Sequence, residues 1–218
     1  MRTYVLTRSA YGPAWSIEAN QRRLDVTRAV TARLMRLQTC RDWTWVVLLD
    51  RRDALLEERR AVFAGAAPAF EAIEWEPPRN PAAAPWDRHG AETNTVQRIA
   101  AEAYRAPWRD VVGHRDEAVM QIRLDDDDGL AVDALDRYAR AAEAVKRRTV
   151  LMLPNGVRVW RGRYSKVRHE QNAMHALVTP PGDGLSVYDY GHTKVRRAAP
   201  VVMVDEAYSD FRGSSMLK

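Results

Sequence analysis

"QIRLDDDDGLAV", residues 121–132, is the stretch on which the reading of this chain turns. A strand-like run, "AVMQIRL" (118–124), delivers four carboxylates, Asp125, Asp126, Asp127 and Asp128, to its carboxyl end. A helical pattern, "LAVDALDRYARAAEAV" (130–145), follows, with Leu130, Val132, Leu135, Tyr138, Ala142 and Val145 on one side. Adjacent carboxylates raise one another's pKa unless a cation neutralises them. Ligands of open α/β sheets bind beyond the carboxyl ends of strands, so the position itself favours a site. The competing reading is a solvated acidic turn in which Asp127 or Asp128 caps the next helix.

Outward from this junction, the preceding chain alternates strands and helices. "RTYVLTR" (2–8) reads as a first strand, and Leu24, Val26, Val30, Leu34 and Leu37 recur at helical spacing. "WTWVVLLD" (43–50) is nearly all apolar, as a strand buried on both faces of a parallel sheet must be. Its Trp43 and Trp45 read as core residues. "DALLEERRAVFAGA" (53–66) returns to helical spacing and "FEAIEWE" (70–76) alternates again. "PPRNPAAAP" (77–85) stops that strand and opens a loop, and "ETNTVQRIAAEAYRAPW" (92–108) reads as a helix ending near Pro107.

Beyond residue 145 the character turns to β. "TVLMLPNGVRVWRG" reads as two strands joined by a Pro-Asn-Gly turn. "NAMHALVTPPGDG" adds a strand and a turn, and "LSVYDYGHTKV" (185–195) continues the pattern. The expectation is an α/β fold with a mostly parallel central sheet flanked by helices and a β-rich C-terminal half. It forms a single domain, divided into residues 1–128 and 129–218.

The bulk numbers restrict function. At 218 residues the chain can bury a sizeable core. Its lone cysteine, Cys40, excludes an intramolecular disulfide and a cysteine-rich zinc module. The opening "MRTYVLTRSAYGPAW" turns polar too soon for a signal peptide, and no apolar run approaches the ~20 residues of a membrane span, so a soluble cytoplasmic protein is expected. The net charge of +5 makes an acidic partner possible, but the arginines are scattered and no nucleic-acid motif accompanies them.

Hard divalent cations such as Mg²⁺ or Mn²⁺ prefer oxygen ligands and would relieve the carboxylate repulsion. A calcium EF-hand loop fails, because Leu124 and Leu135 fall at its first and twelfth ligand positions. An aspartyl-nucleophile phosphatase, with Asp125 attacking and Asp127 as acid, needs its motif on the first strand, whereas about four strands precede this one. A nucleotide-sugar glycosyltransferase suits the order of elements. There an Asp-x-Asp at the end of a middle strand holds a cation that stabilises the departing diphosphate.

An ordered set of segments extends the match. "VLTR", "LMRLQTCRDWTWVVLLD", "IRLDDDDGLAVD", "LMLPNGV", "NAMHALVTP" and "SVYDYGHTKV" together make the chain resemble the rhamnosyltransferase family, bacterial and phage proteins related to GT-A glycosyltransferases. The resemblance implies a GT-A-like fold, a nucleoside-diphosphate sugar donor and Mn²⁺ or Mg²⁺. Carried over by position, Asp125 and Asp127 are the Asp-x-Asp pair, Asp128 is an auxiliary ligand or a helix cap, and Asp126 matters least. Thr7, Arg8, Asp50, Arg123 and Asp125 fall where such folds hold the nucleotide sugar. His192 falls where many supply a metal ligand, while His175 reads as structural. Trp160 is the acceptor-site candidate, and Asp205 or Glu206 the general base of an inverting enzyme. The acceptor stays open between glycan, protein and nucleic acid. An inactive, transferase-like binding module, in a phage assembly for example, is the reading from another class.

Overall fold

The computed structural model describes residues 1–9, 16–76, 105–112, 115–160, 163–168, 174–189, 199–204 and 208–213. The strands are β1 (Arg2–Ser9), β2 (Thr44–Asp50), β3 (Ala69–Trp75), β4 (Val119–Arg123), β5 (Asp128–Leu130), β6 (Thr149–Met152), β7 (Asn155–Trp160), β8 (Arg163–Arg168), β9 (His175–Thr179), β10 (Val201–Met203) and β11 (Tyr208–Gly213). Between them run helices α1 (Ile17–Val26), α2 (Ala32–Arg36) and α3 (Leu56–Ala64), helical residues 105–112 (α4) and α5 (Ala134–Glu143).

A seven-stranded sheet carries the order β10-β6-β9-β4-β1-β2-β3. Its strands β4, β1, β2 and β3 are mutually parallel, β10 is parallel to β6, and β9 runs antiparallel between β6 and β4. A four-stranded sheet of order β5-β11-β7-β8 stands beside it. The strand of the second sheet that begins at the acidic turn is β5.

The apolar run of β2 explains the middle of the large sheet. Trp45, Val47 and Leu49 pack on one face with Phe63, Met35, Ile122 and Tyr138, whereas Val46 and Leu48 pack on the other with Leu6, Trp108 and Leu177. Each fully buried side chain of this kind is worth about 1.5–3 kcal/mol relative to exposure. Trp45 meets Phe63 edge-on at 4.9 Å, which ties α3 to the sheet. Trp43 is also buried, and His175 is fully enclosed in β9.

Several local expectations are corrected. The helical stretch centred on residues 24–37 begins at Ile17 and contains a π-helical turn at Thr27–Thr31 between α1 and α2. Of the expected apolar row Leu24 is buried, Val26, Val30 and Leu34 are half-buried and Leu37 is exposed, while Arg23, Thr27 and Thr31 are buried beside Leu24, Ala32 and Met35. Polar residues line its inward face because they meet the acidic turn. Pro107 does not end a helix, since residues 105–112 are helical throughout; residues 92–104 of that expectation lie outside the described residues. The strands flanking Leu153-Pro154 form no hairpin: β6 joins the large sheet and β7 the small one. Residues 186–189 form a buried turn where the pattern at 185–195 was expected to continue the strands; residues 190–195 of that expectation lie outside the described residues.

Candidate functional site

The acidic run leaves β4 at the carboxyl edge of the parallel strands. Leu124 continues the ladder, its amide donating to the Leu6 carbonyl at 3.0 Å, and the Asp128 amide closes the turn on the Asp125 carbonyl at 3.1 Å. The four aspartates then meet four different environments.

Asp126 is the most enclosed, with no exposed surface. Its carboxylate accepts from Ser9 Oγ at 2.7 Å, Arg23 Nε at 2.8 Å and Arg23 Nη2 at 2.6 Å. Its carbonyl accepts from Thr27 Oγ1 at 2.7 Å and Thr31 Oγ1 at 3.0 Å. Arg59, buried in α3, donates to Ser9 Oγ at 3.0 Å and to Asp53 Oδ2 at 2.8 Å, and its guanidinium lies 4.0 Å from Asp126. The aspartate expected to matter least therefore anchors the turn to β1, α1 and α3. Sequence spacing could not show this, because Arg23 and Arg59 are 103 and 67 residues away.

Asp127 accepts from Arg23 Nη1 at 2.5 Å. Burial pushes its carboxyl up to about 6, the Asp126 and Asp125 charges push the same way, and Arg23 opposes them. Asp125 is the more open of the Asp-x-Asp pair, its side chain 28% exposed and 3.3 Å from Arg123. Burial works against its charge, but the guanidiniums of Arg123, Arg8 and Arg23 prevail and hold the carboxyl below the usual range. Asp128 caps no helix. It opens β5, and α5 starts only at Ala134, after Asp133.

Two cations stand beside Asp125. Arg8, near the end of β1, and Arg123, the last residue of β4, lie with their guanidinium carbons 5.0 and 5.2 Å from the centre of the Tyr188 ring. Trp108 stacks on that ring at 4.7 Å and 20°. Neither aromatic was singled out in the sequence, where Tyr188 was visible only as part of "SVYDYGHTKV".

The other candidates fall in several places. Thr7 is fully buried and accepts from Trp45 Nε1 at 2.9 Å. Asp50 is buried at the end of β2, where it accepts from the Arg52 amide at 2.9 Å and from its guanidinium at 3.1 Å. Trp160 ends β7 in register with Arg163, and its side chain lies outside the described residues. Asp205, Glu206 and His192 also lie outside them. Among the described residues no group of three or more His, Cys, Asp or Glu side chains is placed to hold a metal ion together.

An Asp-rich turn at the end of a middle strand, in a mostly parallel seven-stranded sheet with one antiparallel insertion, defines a GT-A-like fold. The solved structures agree. The crystal structure of S. aureus TarS residues 1–349 aligns with TM-score 0.56 and 8% identity, covering 98% of this chain and 61% of that one. The same TarS segment in complex with UDP aligns with TM-score 0.55 and 10% identity over 97% and 60% of the two chains. Mouse xyloside xylosyltransferase 1 aligns with TM-score 0.51 and 10% identity over 94% and 86%. The chain thus spans about three fifths of the TarS segment. No curated protein sequence matches it. Residues 93–214 match the family described as "Putative rhamnosyl transferase", and the chain belongs to that family.

Proposed function

We propose that the protein transfers a sugar from a nucleoside-diphosphate sugar to an acceptor, with the donor seated over the carboxyl ends of β1, β2 and β4. The observation that carries this reading is the grouping of Arg8, Arg123 and the partly open Asp125 at the ends of two adjacent parallel strands. Guanidiniums are suited to phosphate oxygens because they are always charged and present forked donors. TarS, which shares the fold, has been crystallised with UDP.

In the chemical step the bond between the sugar's anomeric carbon and the diphosphate oxygen breaks, and negative charge builds on the departing diphosphate. Arg8 and Arg123 offset that charge from the protein side. The acceptor's hydroxyl attacks the anomeric carbon and loses its proton to a carboxylate, for which Asp205 and Glu206 are the candidates. Trp160 is the candidate for holding the acceptor.

The oxygen donors of Asp125 and Asp127 fit Mn²⁺ or Mg²⁺, which take one or two carboxylates and complete their shell with phosphate oxygens and water. Bound there, the cation would supply Lewis-acid stabilisation of the diphosphate, with His192 as a further candidate ligand. Asp127 would have to share its carboxylate between that cation and Arg23.

A thermal-shift panel of UDP, GDP and dTDP and their sugars, with and without Mn²⁺, tests the proposal. At least one nucleotide should raise the melting temperature, and Mn²⁺ should increase the gain in the wild type but not in Asp127→Ala. An absence of any shift by all of them would remove the donor reading. A nucleotide shift that Mn²⁺ leaves unchanged would remove the metal alone.

A further inference from the structure

We propose that Tyr188 is a positioning residue of the donor site, its ring the shelf on which the Arg8 and Arg123 guanidiniums are held in place to grip the diphosphate. This inference rests on the donor reading above.

The two arginines come from neighbouring parallel strands. Arg123 is in register with Leu6, two residues before Arg8, so like charges are brought close together. The electron-rich face of an aromatic ring attracts both and offsets their mutual repulsion. The ring is itself fixed on several sides. Trp108 stacks on it, and its hydroxyl donates to the Leu6 carbonyl at 3.0 Å, so one side chain ties together α4, β1 and both arginines. Burial pushes the phenol up to about 12, which keeps that donor protonated at any physiological pH.

The segment presenting Tyr188 is held by side-chain hydrogen bonds from both β4 and α4. Residues 186–189 are all buried. The Val187 amide donates to Gln121 Oε1 at 2.9 Å, and Gln121 Nε2 donates to the Leu185 carbonyl at 2.7 Å, which fastens the turn to β4. Asp189 accepts from the Ser186 amide at 2.7 Å and from Arg109 Nη2 of α4 at 2.7 Å. A turn secured to β4 and α4 sets the height and tilt of the ring, and through it the two guanidiniums. Binding a diphosphate then costs little further ordering of two long side chains.

Titration of inorganic pyrophosphate and of UDP into the wild type and three variants tests this by calorimetry. Tyr188→Phe keeps the ring and should bind both within about twofold of wild type. Tyr188→Leu should bind both about tenfold more weakly, on the scale of two cation–π contacts. Should the Leu variant not fold, Tyr188→trifluorophenylalanine keeps the ring's shape and withdraws its electron density. It should bind several-fold more weakly than Tyr188→Phe at an unchanged melting temperature. Equal affinities of the fluorinated and unfluorinated variants would overturn the shelf while leaving the donor reading intact. A wild type that binds neither pyrophosphate nor UDP, GDP or dTDP would overturn both.

Discussion

The four aspartates carry different loads, and substitution should separate them. Asp126 is fully buried between Ser9, Arg23 and Arg59. Asp126→Ala removes the buried carboxylate that Arg23 grips with Nε and Nη2, leaving Arg23 on Asp127 and Arg59 on Asp53, and should cost about 1–3 kcal/mol, read as a lowered denaturant midpoint. Asp125→Ala removes a partly open carboxylate and should leave the fold largely intact while changing nucleotide affinity. Asp127 adds a pH signature. Its carboxyl is held at about 6 in the folded chain, above the ordinary 3.8, so the folded state keeps a proton that the unfolded state has released. Ligand-free stability should therefore fall as pH rises from about 4 to about 6 and level off above, by on the order of 1–3 kcal/mol. In Asp127→Asn this fall should vanish and the melting temperature at pH 7.5 should rise. A variant melting below wild type at that pH would contradict the sign.

At the scale of elements, the junction depends on close approach between β5 and the helix before β2. A Cβ added at Gly129 would lie 2.3 Å from Leu34 Cδ1, so the glycine lets β5 sit directly against α2. Leu34 is only half-buried and can yield to one methyl group, so Gly129→Ala should be mild. Gly129→Val should cost about 1–3 kcal/mol through overpacking, measured by chemical denaturation. The π-helical turn at Thr27–Thr31 serves the same junction. Arg23, Thr27 and Thr31 follow one another every four residues and all reach Asp126, which converts a helix face that looks polar in sequence into an inward one.

At the scale of the molecule, the second sheet is held together by β11. β11 lies between β5 and β7, antiparallel to the first and parallel to the second, so its removal takes from β5 its neighbour in the sheet and leaves β7 paired with β8 alone. Truncation after Val204 should lower the melting temperature and speed amide hydrogen exchange in residues 128–130 and 155–159. Unchanged exchange there would contradict the pairing. No helix among the described residues is long and apolar enough to cross a membrane.

By itself the sequence determined the alternation of strands and helices through β3, the strand β4, the burial of β2, Trp43 and Trp45, and the place of the acidic run at a strand end. These follow from local periodicity, which reports on neighbours a few residues apart. It also carried, as a resemblance, the GT-A-like fold and the family. Only the tertiary structure decided which aspartate anchors and which stays open, that β6 and β7 belong to different sheets, and that Tyr188 meets Arg8 and Arg123. Those are contacts between residues up to 182 apart, as in the bond from Tyr188 to Leu6. In sequence "DDDD" is four like charges. In the fold Asp126 is enclosed by guanidiniums, Asp127 shares one of them, Asp125 stands open beside two others, and Asp128 starts a strand. The difference comes from burial and counter-charge, which local spacing does not encode.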